Sequence, residues 1–389
     1  MKILFFISVY GHGRGGHFHS LNHISRKIGE NSDVKIISFG PGKSNIIESN
    51  PHFLEHIYFN GINFIYFKNK IKELIRNFNP EIYHCFDYGS YNTIRLLISS
   101  EKNKIIINKC GGPNPIKYPH VPNLILFSNE NLNWFKNQKK HKNSNIYLIP
   151  NLVKSLLPDK NFQPIAKKND EFTFLRICRI GSAYNKSIND SIFLIETLLS
   201  KGIKKVKLYI VGVIEDLNIF TKYNNHPLVK NGHVIFLTDP IYTTEASKML
   251  YLADAVIGTG RGLMEASSLS IPLLAINKED NIPVLLNNDN FLDAFKTNFS
   301  ERNIFNDISS GNNIKNIITM IQKKDYYTEM SSFSKESFEK YFNIDKVVQS
   351  YSCAYTESVF YKRNILTDIY IISRTFIKFF NSNLNYKKQ

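Results

Sequence analysis

The sequence predicts an α/β protein built from two doubly wound domains facing across a cleft. Three observations carry that reading. Short apolar runs alternate with amphipathic helical patterns along most of the chain, the signature of βαβ units and a mostly parallel sheet. The rhythm breaks at 154–171, where Pro158, Pro164 and the polar run Lys167-Lys168-Asn169-Asp170-Glu171 intervene, and then resumes. At 389 residues the chain is also too long for one ordinary core.

In the first half, strands are expected at 2–8, 34–39, 82–86, 104–108, 123–127 and 145–149. Ile71, Leu74, Ile75 and Phe78 share a helical face, and Asn79-Pro80 ends that helix before the next strand. The second half offers strands at 172–178, 206–212 and 233–237 and helices near 187–201 and 243–252. The stretch 253–275 is the most informative of all. Ala255-Val256-Ile257 runs into Gly258-Thr259-Gly260-Arg261-Gly262, a helix follows with Glu265 expected in its first turn, and Ser270-Ile271-Pro272 stops it before Leu273–Ile276. Such a turn leaves backbone amides free at the sheet edge where open α/β proteins bind nucleotides and sugars. Beyond 340 the pattern is helical. The expected division is 1–153, a linker at 154–171, 172–342, and terminal helices at 343–389 that partly pack back on the first domain.

Hydrophobic residues make up 43% and charged residues 21%, ordinary for a globular protein. No apolar run approaches the roughly 20 residues that span a bilayer. Met1–Ser8 reads as a buried strand rather than a signal peptide, because Tyr10-Gly11-His12-Gly13-Arg14 follows it in place of a small-residue cleavage site. Cys85, Cys110, Cys178 and Cys353 show no disulfide or metal spacing, which fits a reducing cytoplasm.

Lysine plus arginine exceeds the acids by 49 − 33, a net charge of +16, which favours nucleotides, phospholipid surfaces or nucleic acid as partners. The lysines scatter through all helices instead of forming a stripe interleaved with aromatics, which argues against nucleic acid. In the tail, Ile365, Ile369, Ile372, Phe376 and Phe380 recur at helical spacing beside Arg374, Lys378, Lys387 and Lys388. That pattern suits a terminal helix packed on the core or a basic amphipathic contact with an anionic membrane surface.

Several residues could carry chemistry. Gly11-His12-Gly13-Arg14-Gly15-Gly16-His17 joins the first strand to a helix carrying Leu21, Ile24 and Ile28, so Gly15 and Gly16 could bring backbone amides to a phosphate. A tight turn with incidental histidines is the other reading. Gly42-Lys43-Ser44 imitates the end of a P-loop, but Ile37 stands where the leading glycine belongs. No Asp-x-Asp occurs, so a diphosphate would be neutralised by Arg, Lys and helix amides. Arg176, Arg179 and Lys186 cluster at the end of strand 172–178 and in the loop after it, as a diphosphate clamp or a surface basic pair. Glu265 could accept from ribose hydroxyls or merely complement a helix dipole.

In this order the residues resemble those of the GT-B glycosyltransferases, two Rossmann-like domains, and in particular the retaining family four of bacterial surface polysaccharide synthesis. The resemblance covers about 1–350. Gly15-Gly16-His17 is similar to the family's glycine loop near the donor phosphates, and Pro80-Glu81-Ile82-Tyr83-His84 to its Pro-Asp-x-x-His strand entry. Ile149-Pro150-Asn151 resembles the Ile-Pro-Asn before the interdomain linker. Arg179 and Lys186 resemble the Arg…Lys pair on the donor diphosphate, and Tyr209-Ile210-Val211-Gly212 the strand whose end meets the base. Met264-Glu265-Ala266 with Ile271-Pro272 resembles the Glu-Ala…Gly-x-Pro run whose glutamate binds the ribose. Three departures stand out. The family's sugar-facing glutamate belongs eight residues before Glu265, where Ile257 stands, so that acid is absent and Gly258 to Gly262 would supply the contacts by backbone and Arg261. The Arg…Lys spacing is longer, and Lys109-Cys110-Gly111 replaces a histidine often found after strand 104–108.

The resemblance implies a retaining enzyme with no obligatory metal or other cofactor. It would move a sugar from a nucleotide-diphosphate donor to a glycan or lipid-linked acceptor in capsule, O-antigen or lipopolysaccharide synthesis. It would work in the cytoplasm, with the tail a candidate for peripheral contact with the inner face of the membrane. Residues 1–153 would be the acceptor domain and 172–342 the donor domain. Arg179, Lys186 and Glu265 would form the catalytic set. Gly15, Gly16, Gly212, Gly258, Thr259, Gly260, Arg261 and Gly262 would line the donor. His17, His84 and Lys109 are acceptor-side candidates, with a structural role the other reading of each histidine. A GT-B nucleotide-sugar 2-epimerase, a non-catalytic GT-B subunit and a basic nucleic-acid-binding protein are the alternatives.

Overall fold

The computed structural model describes residues 1–98, 103–159, 161–306, 308–361 and 368–386. The chain forms two compact units, Met1–Leu152 with Ile344–Gln389, and Val153–Asn343.

The first unit is a seven-stranded sheet in the order β3-β2-β1-β4-β5-β6-β7. Its strands are β1 Lys2–Ser8, β2 Asp33–Gly40, β3 Phe53–Tyr58, β4 Ile82–Cys85, β5 Lys104–Lys109, β6 Asn123–Leu126 and β7 Asn145–Leu148. All neighbours run parallel. In β1 the odd residues Ile3, Phe5 and Ile7 face helix α1 (Gly16–Ile28) through Phe18, Leu21 and Ile24, while Leu4 and Phe6 face Phe67, Ile71 and Leu74. A strand buried on both faces reads as a continuous apolar run, which is why β1 was legible.

β3 escaped the sequence reading. It is an edge strand carrying Glu55 and His56, mostly half-exposed, and its register shifts between Ile36 and Ile37. A short helix, α2 (Tyr88–Ile94), follows β4 and is capped by Asp87, whose carboxylate accepts from the Ser90 amide at 2.8 Å.

The second unit has a six-stranded sheet in the order β10-β9-β8-β11-β12-β13. These strands are β8 Phe172–Ile177, β9 Val206–Val211, β10 Val234–Leu237, β11 Ala255–Gly258, β12 Leu273–Ala275 and β13 Val284–Leu285. Only β12 and β13 pair antiparallel. Helix α3 (Asn185–Ser200) follows β8, and α4 (Arg261–Ser268) follows β11. The helix expected at 243–252 is instead a turn at Pro240–Thr243 and a 3-10 segment at Ala246–Leu252. Pro240 starts the first turn early, and the β-branched pair Thr243-Thr244 weakens its continuation.

The proline-bearing segment 154–171 lies along the second unit, where Leu156, Phe162 and Ile165 pack against its core. The C-terminal helix, Ile369–Tyr386, belongs to the first unit and buries Ile371, Ile372, Thr375, Phe379 and Asn383. Phe379 is fully buried and its ring lies 4.6 Å from that of Tyr10 and 4.8 Å from that of Phe59. Of the apolar residues at helical spacing, Ile372 is buried, while Ile369 and Phe380 are 59% and 38% exposed. Ile365, Lys387 and Lys388 lie outside the described residues. No helix among the described residues is long and apolar enough to cross a membrane.

Candidate functional site

In a doubly wound sheet, connections leave the central pair of strands in opposite directions and open a crevice at the carboxyl ends of those strands. In the second unit that pair is β8 and β11. The residues there are those the sequence singled out, with additions.

β11 ends at Gly258, and Thr259-Gly260 leads straight into α4. Gly260 has φ 51°, in the region that favours glycine, and its amide donates to the Phe299 carbonyl at 2.7 Å. A Cβ on Gly258 would sit 2.9 Å from Leu263 and 3.5 Å from the Arg176 guanidinium. The glycine therefore lets the strand end lie against that arginine.

Arg176, the last but one residue of β8, is 1% exposed. It donates to Ser187 Oγ at 2.9 Å and reaches Thr259 Oγ1 at 3.4 Å, while its Nε has no hydrogen-bond partner. Among the described residues no carboxylate forms a salt bridge with it. A buried charge normally requires a partner. Ser187 belongs to the first turn of α3, so the arginine lies beside a helix N-terminus with its positive dipole end.

Lys186 stands in that same turn. Its Nζ donates to Asp190 at 2.6 Å and to the Asp280 carbonyl at 3.0 Å. The Asp190 side chain is 1% exposed, and burial pushes its carboxyl up to about 6 against the pull of Lys186. Asp190 Oδ1 and Glu301 Oε1 are buried without hydrogen-bond partners, and the Glu301 charge raises Asp190 further. Arg179 is 48% exposed, ion-paired with Glu215, and stacked 5.3 Å over the Tyr184 ring. Arg176, Lys186 and Asp190 thus form a mostly buried cluster, with Arg179 at its solvent side.

Glu265 is not in the first turn of α4, which contains no acid. It stands one turn in because Arg261 is already helical, and its Oε1 accepts from Arg261 Nε at 2.7 Å. Ile257 is fully buried and pairs with Leu274 inside the sheet, so its side chain belongs to the core. The side chain at that position therefore offers no acid, and Thr259 lies in the turn that follows the strand. Gly212 has a packing reason of its own, since a Cβ there would fall 1.7 Å from the Cys178 carbonyl oxygen. Gly262 would accept a Cβ with nothing within 4 Å.

In the first unit Gly15 caps α1 and Gly16 opens it. Gly13 (φ 57°) presses on Ser44, whose Oγ donates to the Gly13 carbonyl at 2.7 Å, so the P-loop look-alike braces this loop. His17 is half-buried; burial lowers its pKa, Lys378 adds to that, and Asp87 opposes it.

His84 is corrected as an acceptor-side candidate. It is fully buried, with Nδ1 2.9 Å from Tyr355 Oη and Nε2 2.7 Å from Asn108 Oδ1, and burial brings its pKa down to about 3. Lys109 folds back on its own loop, donating to the Gly111 carbonyl at 2.6 Å and to Asn131 Oδ1 at 2.9 Å. Asp87, not singled out from sequence, accepts from the Ser8 amide at 2.6 Å and ties β1 to β4 at their carboxyl ends. Its position after a strand and three residues before Ser90 was the readable signal of an N-cap. Among the described residues no three His, Cys, Asp or Glu side chains gather in a way that could hold a metal ion.

No protein-family model and no curated protein matches the chain. Solved structures do. A glycosyltransferase from Rickettsia africae is 15% identical, with a TM-score of 0.63 over 92% of this chain and 98% of that one. HepE of Anabaena, solved with UDP and glucose, is 12% identical, with a TM-score of 0.62 over 92% of this chain and all of its own. The chain has the GT-B fold. The GT-B likeness extends to a protein described as a UDP-N-acetylglucosamine 2-epimerase from Listeria monocytogenes, 11% identical, with a TM-score of 0.55 over 90% of this chain and 94% of that one. A GT-B architecture thus fixes where ligands bind in each sheet and leaves the reaction to the residues.

Proposed function

We propose that this GT-B protein is a glycosyltransferase that moves a sugar from a nucleotide-diphosphate sugar to a glycan or lipid-linked acceptor in bacterial surface polysaccharide synthesis. The observation that carries the reading is Arg176, a buried guanidinium at the switch point with no carboxylate partner among the described residues, beside the N-terminus of α3 and the turn 258–260. A diphosphate supplies the missing counter-charge. Lys186 and Arg179 add further cations around it, and Glu265, held by Arg261, accepts from the ribose hydroxyls.

Breaking the sugar–phosphate bond leaves negative charge on the departing diphosphate. Fixed cations and helix amides stabilise that charge more in the transition state than in the bound donor, which lowers the barrier. The same cations do what a divalent metal would otherwise do, so the reaction proceeds without one; retention of configuration is what the resemblance to the retaining family implies. Acceptor positioning supplies the remaining acceleration. The protein works at the cytoplasmic face of the membrane. UDP-glucose is the first donor to test, because HepE has been solved with UDP and glucose.

The 2-epimerase reading is the second, favoured by the Listeria structure of the same fold. Incubation with labelled UDP-sugars separates the two: transfer gives free nucleotide diphosphate, epimerisation an isomeric nucleotide sugar. Arg179→Ala should remove transfer with an unchanged melting curve, because this side chain is half-exposed. An Arg179→Ala protein as fast as the wild type would overturn its role, and loss of all turnover in EDTA would overturn metal independence.

A further inference from the structure

The first unit carries a second cationic feature, apart from the donor cluster. A trough of about 870 Å³ runs between the C-terminal helix and the loops after β1, β4 and β5, lined in part by Tyr10, Tyr88, Lys117, Tyr370, Arg374 and Lys378. Lys117 Nζ lies 4.8 Å over the Tyr370 ring, Arg374 lies 5.7 Å from the same ring, and Lys378 Nζ lies 4.2 Å over Tyr10. These contacts hold the cations in place without neutralising them. Among the described residues none of the three makes an ion pair with a carboxylate, and no acid lines the trough. Asp87, whose charge is felt at Tyr10, is taken up by Ser8 and Ser90.

The rim is apolar. Ile116, next to Lys117, is 98% exposed, and Ile377, next to Lys378, is 56% exposed. Burying an exposed isoleucine is favourable. A ligand that satisfies both features has a compact anion at one end and a hydrocarbon chain at the other.

We propose that this trough binds the phosphate or diphosphate head of a lipid carrier, with Lys117, Arg374 and Lys378 on the phosphate and the chain leaving over Ile116 and Ile377. Only the naming of this lipid as the acceptor rests on the glycosyltransferase reading; the binding site does not.

The test uses the full chain and three vesicle preparations: phosphatidylcholine alone, phosphatidylcholine with a long-chain polyprenyl phosphate, and phosphatidylcholine with phosphatidylglycerol at equal charge. Sedimentation should show tight binding to the polyprenyl phosphate vesicles, and K117Q/R374Q/K378Q should weaken it on the order of a hundredfold. Equal binding to the phosphatidylglycerol vesicles would mean a general anionic surface and would overturn the proposal. Competition by inorganic pyrophosphate as effective as by the lipid would mean a free-phosphate site and would also overturn it. So would unchanged binding of the triple variant. Thermal shift with UDP is read in parallel. Lipid binding without any UDP response would sink the glycosyltransferase reading and leave this site standing, while the reverse would sink this site alone.

Discussion

Asp368 anchors the C-terminal helix, and replacing it by asparagine tests how. The carboxylate is fully buried at the residue before the helix. It pairs with Arg95 Nη1 at 2.8 Å and Lys140 Nζ at 2.6 Å and accepts from the His120 amide at 3.1 Å. Asp368→Asn keeps the shape and removes the charge. Lys140 is 37% exposed and can turn to water. Arg95 is 1% exposed, and its Nε and Nη2 already have no hydrogen-bond partner, so its charge has nowhere to go. Removing one partner of a buried pair costs about 3–5 kcal/mol because the other charge is left uncompensated.

The assay is built into the chain. Trp134, its single tryptophan, packs against the core of the first unit, so its fluorescence during urea unfolding follows that unit alone. Arg95→Met with Asp368→Leu should recover most of the loss, since an apolar pair of similar volume replaces a buried ion pair at little cost. The pH dependence has a definite sign. Burial raises Asp368, but Arg95 and Lys140 win and hold it below the ordinary carboxylate range. Its contribution is therefore complete above about pH 4 and lost as pH falls through the lower folded value. The variant's deficit should be constant from pH 5 to 8. A deficit under about 1 kcal/mol at pH 7, or a double variant no better than the single one, would refute the reasoning.

Other consequences are simpler to state. Burial raises Asp190 to about 6, so the second unit should gain stability as pH falls from 7 towards 4, by up to about 3 kcal/mol. Asp190→Asn should flatten that slope in hydrogen-exchange or calorimetric measurements. Gly212→Ala should destabilise the second unit by more than about 2 kcal/mol, because its Cβ meets the backbone of Cys178 at 1.7 Å. Gly16→Ala meets nothing within 4 Å, so its stability should change by less than about 1 kcal/mol and any loss of nucleotide affinity would report ligand contact. His84→Ala should lower first-unit stability by about 2–4 kcal/mol in the Trp134 signal, since it strands Tyr355 and Asn108 in the core.

What the sequence made legible follows from burial. β1, β5 and β8 lie inside their sheets and read as apolar runs. β3 sits at an edge with one face half in water, so its pattern dissolves into Leu54-Glu55-His56. The site divides in the same way. The glycine turn, Arg179, Lys186 and Glu265 were visible because small and charged residues at strand ends are conspicuous. Arg176 was visible as a cation but not as a buried one, since burial depends on Ser187 and Gly258 closing over it. Ile257 was visible as an apolar residue before the turn but not as a core one, since β11 carries its side chain into the sheet.

The net charge of +16 also gains meaning from where it is placed. Most lysines stay in water, where ion pairs such as Lys205 with Asp170 add little. Arg176 is different, because a desolvated guanidinium with no carboxylate partner among the described residues destabilises the free protein. Native structure tolerates such a group when a ligand returns the lost energy. A nucleotide diphosphate that binds only the folded form stabilises it by about 2.7 kcal/mol at a hundred times its dissociation constant. Replacing Arg176 by methionine, which keeps the stem and removes the charge, should therefore raise the melting temperature of the free protein and remove the shift produced by UDP. A variant less stable than wild type that still responds to UDP would mean that Arg176 holds the core together rather than the donor.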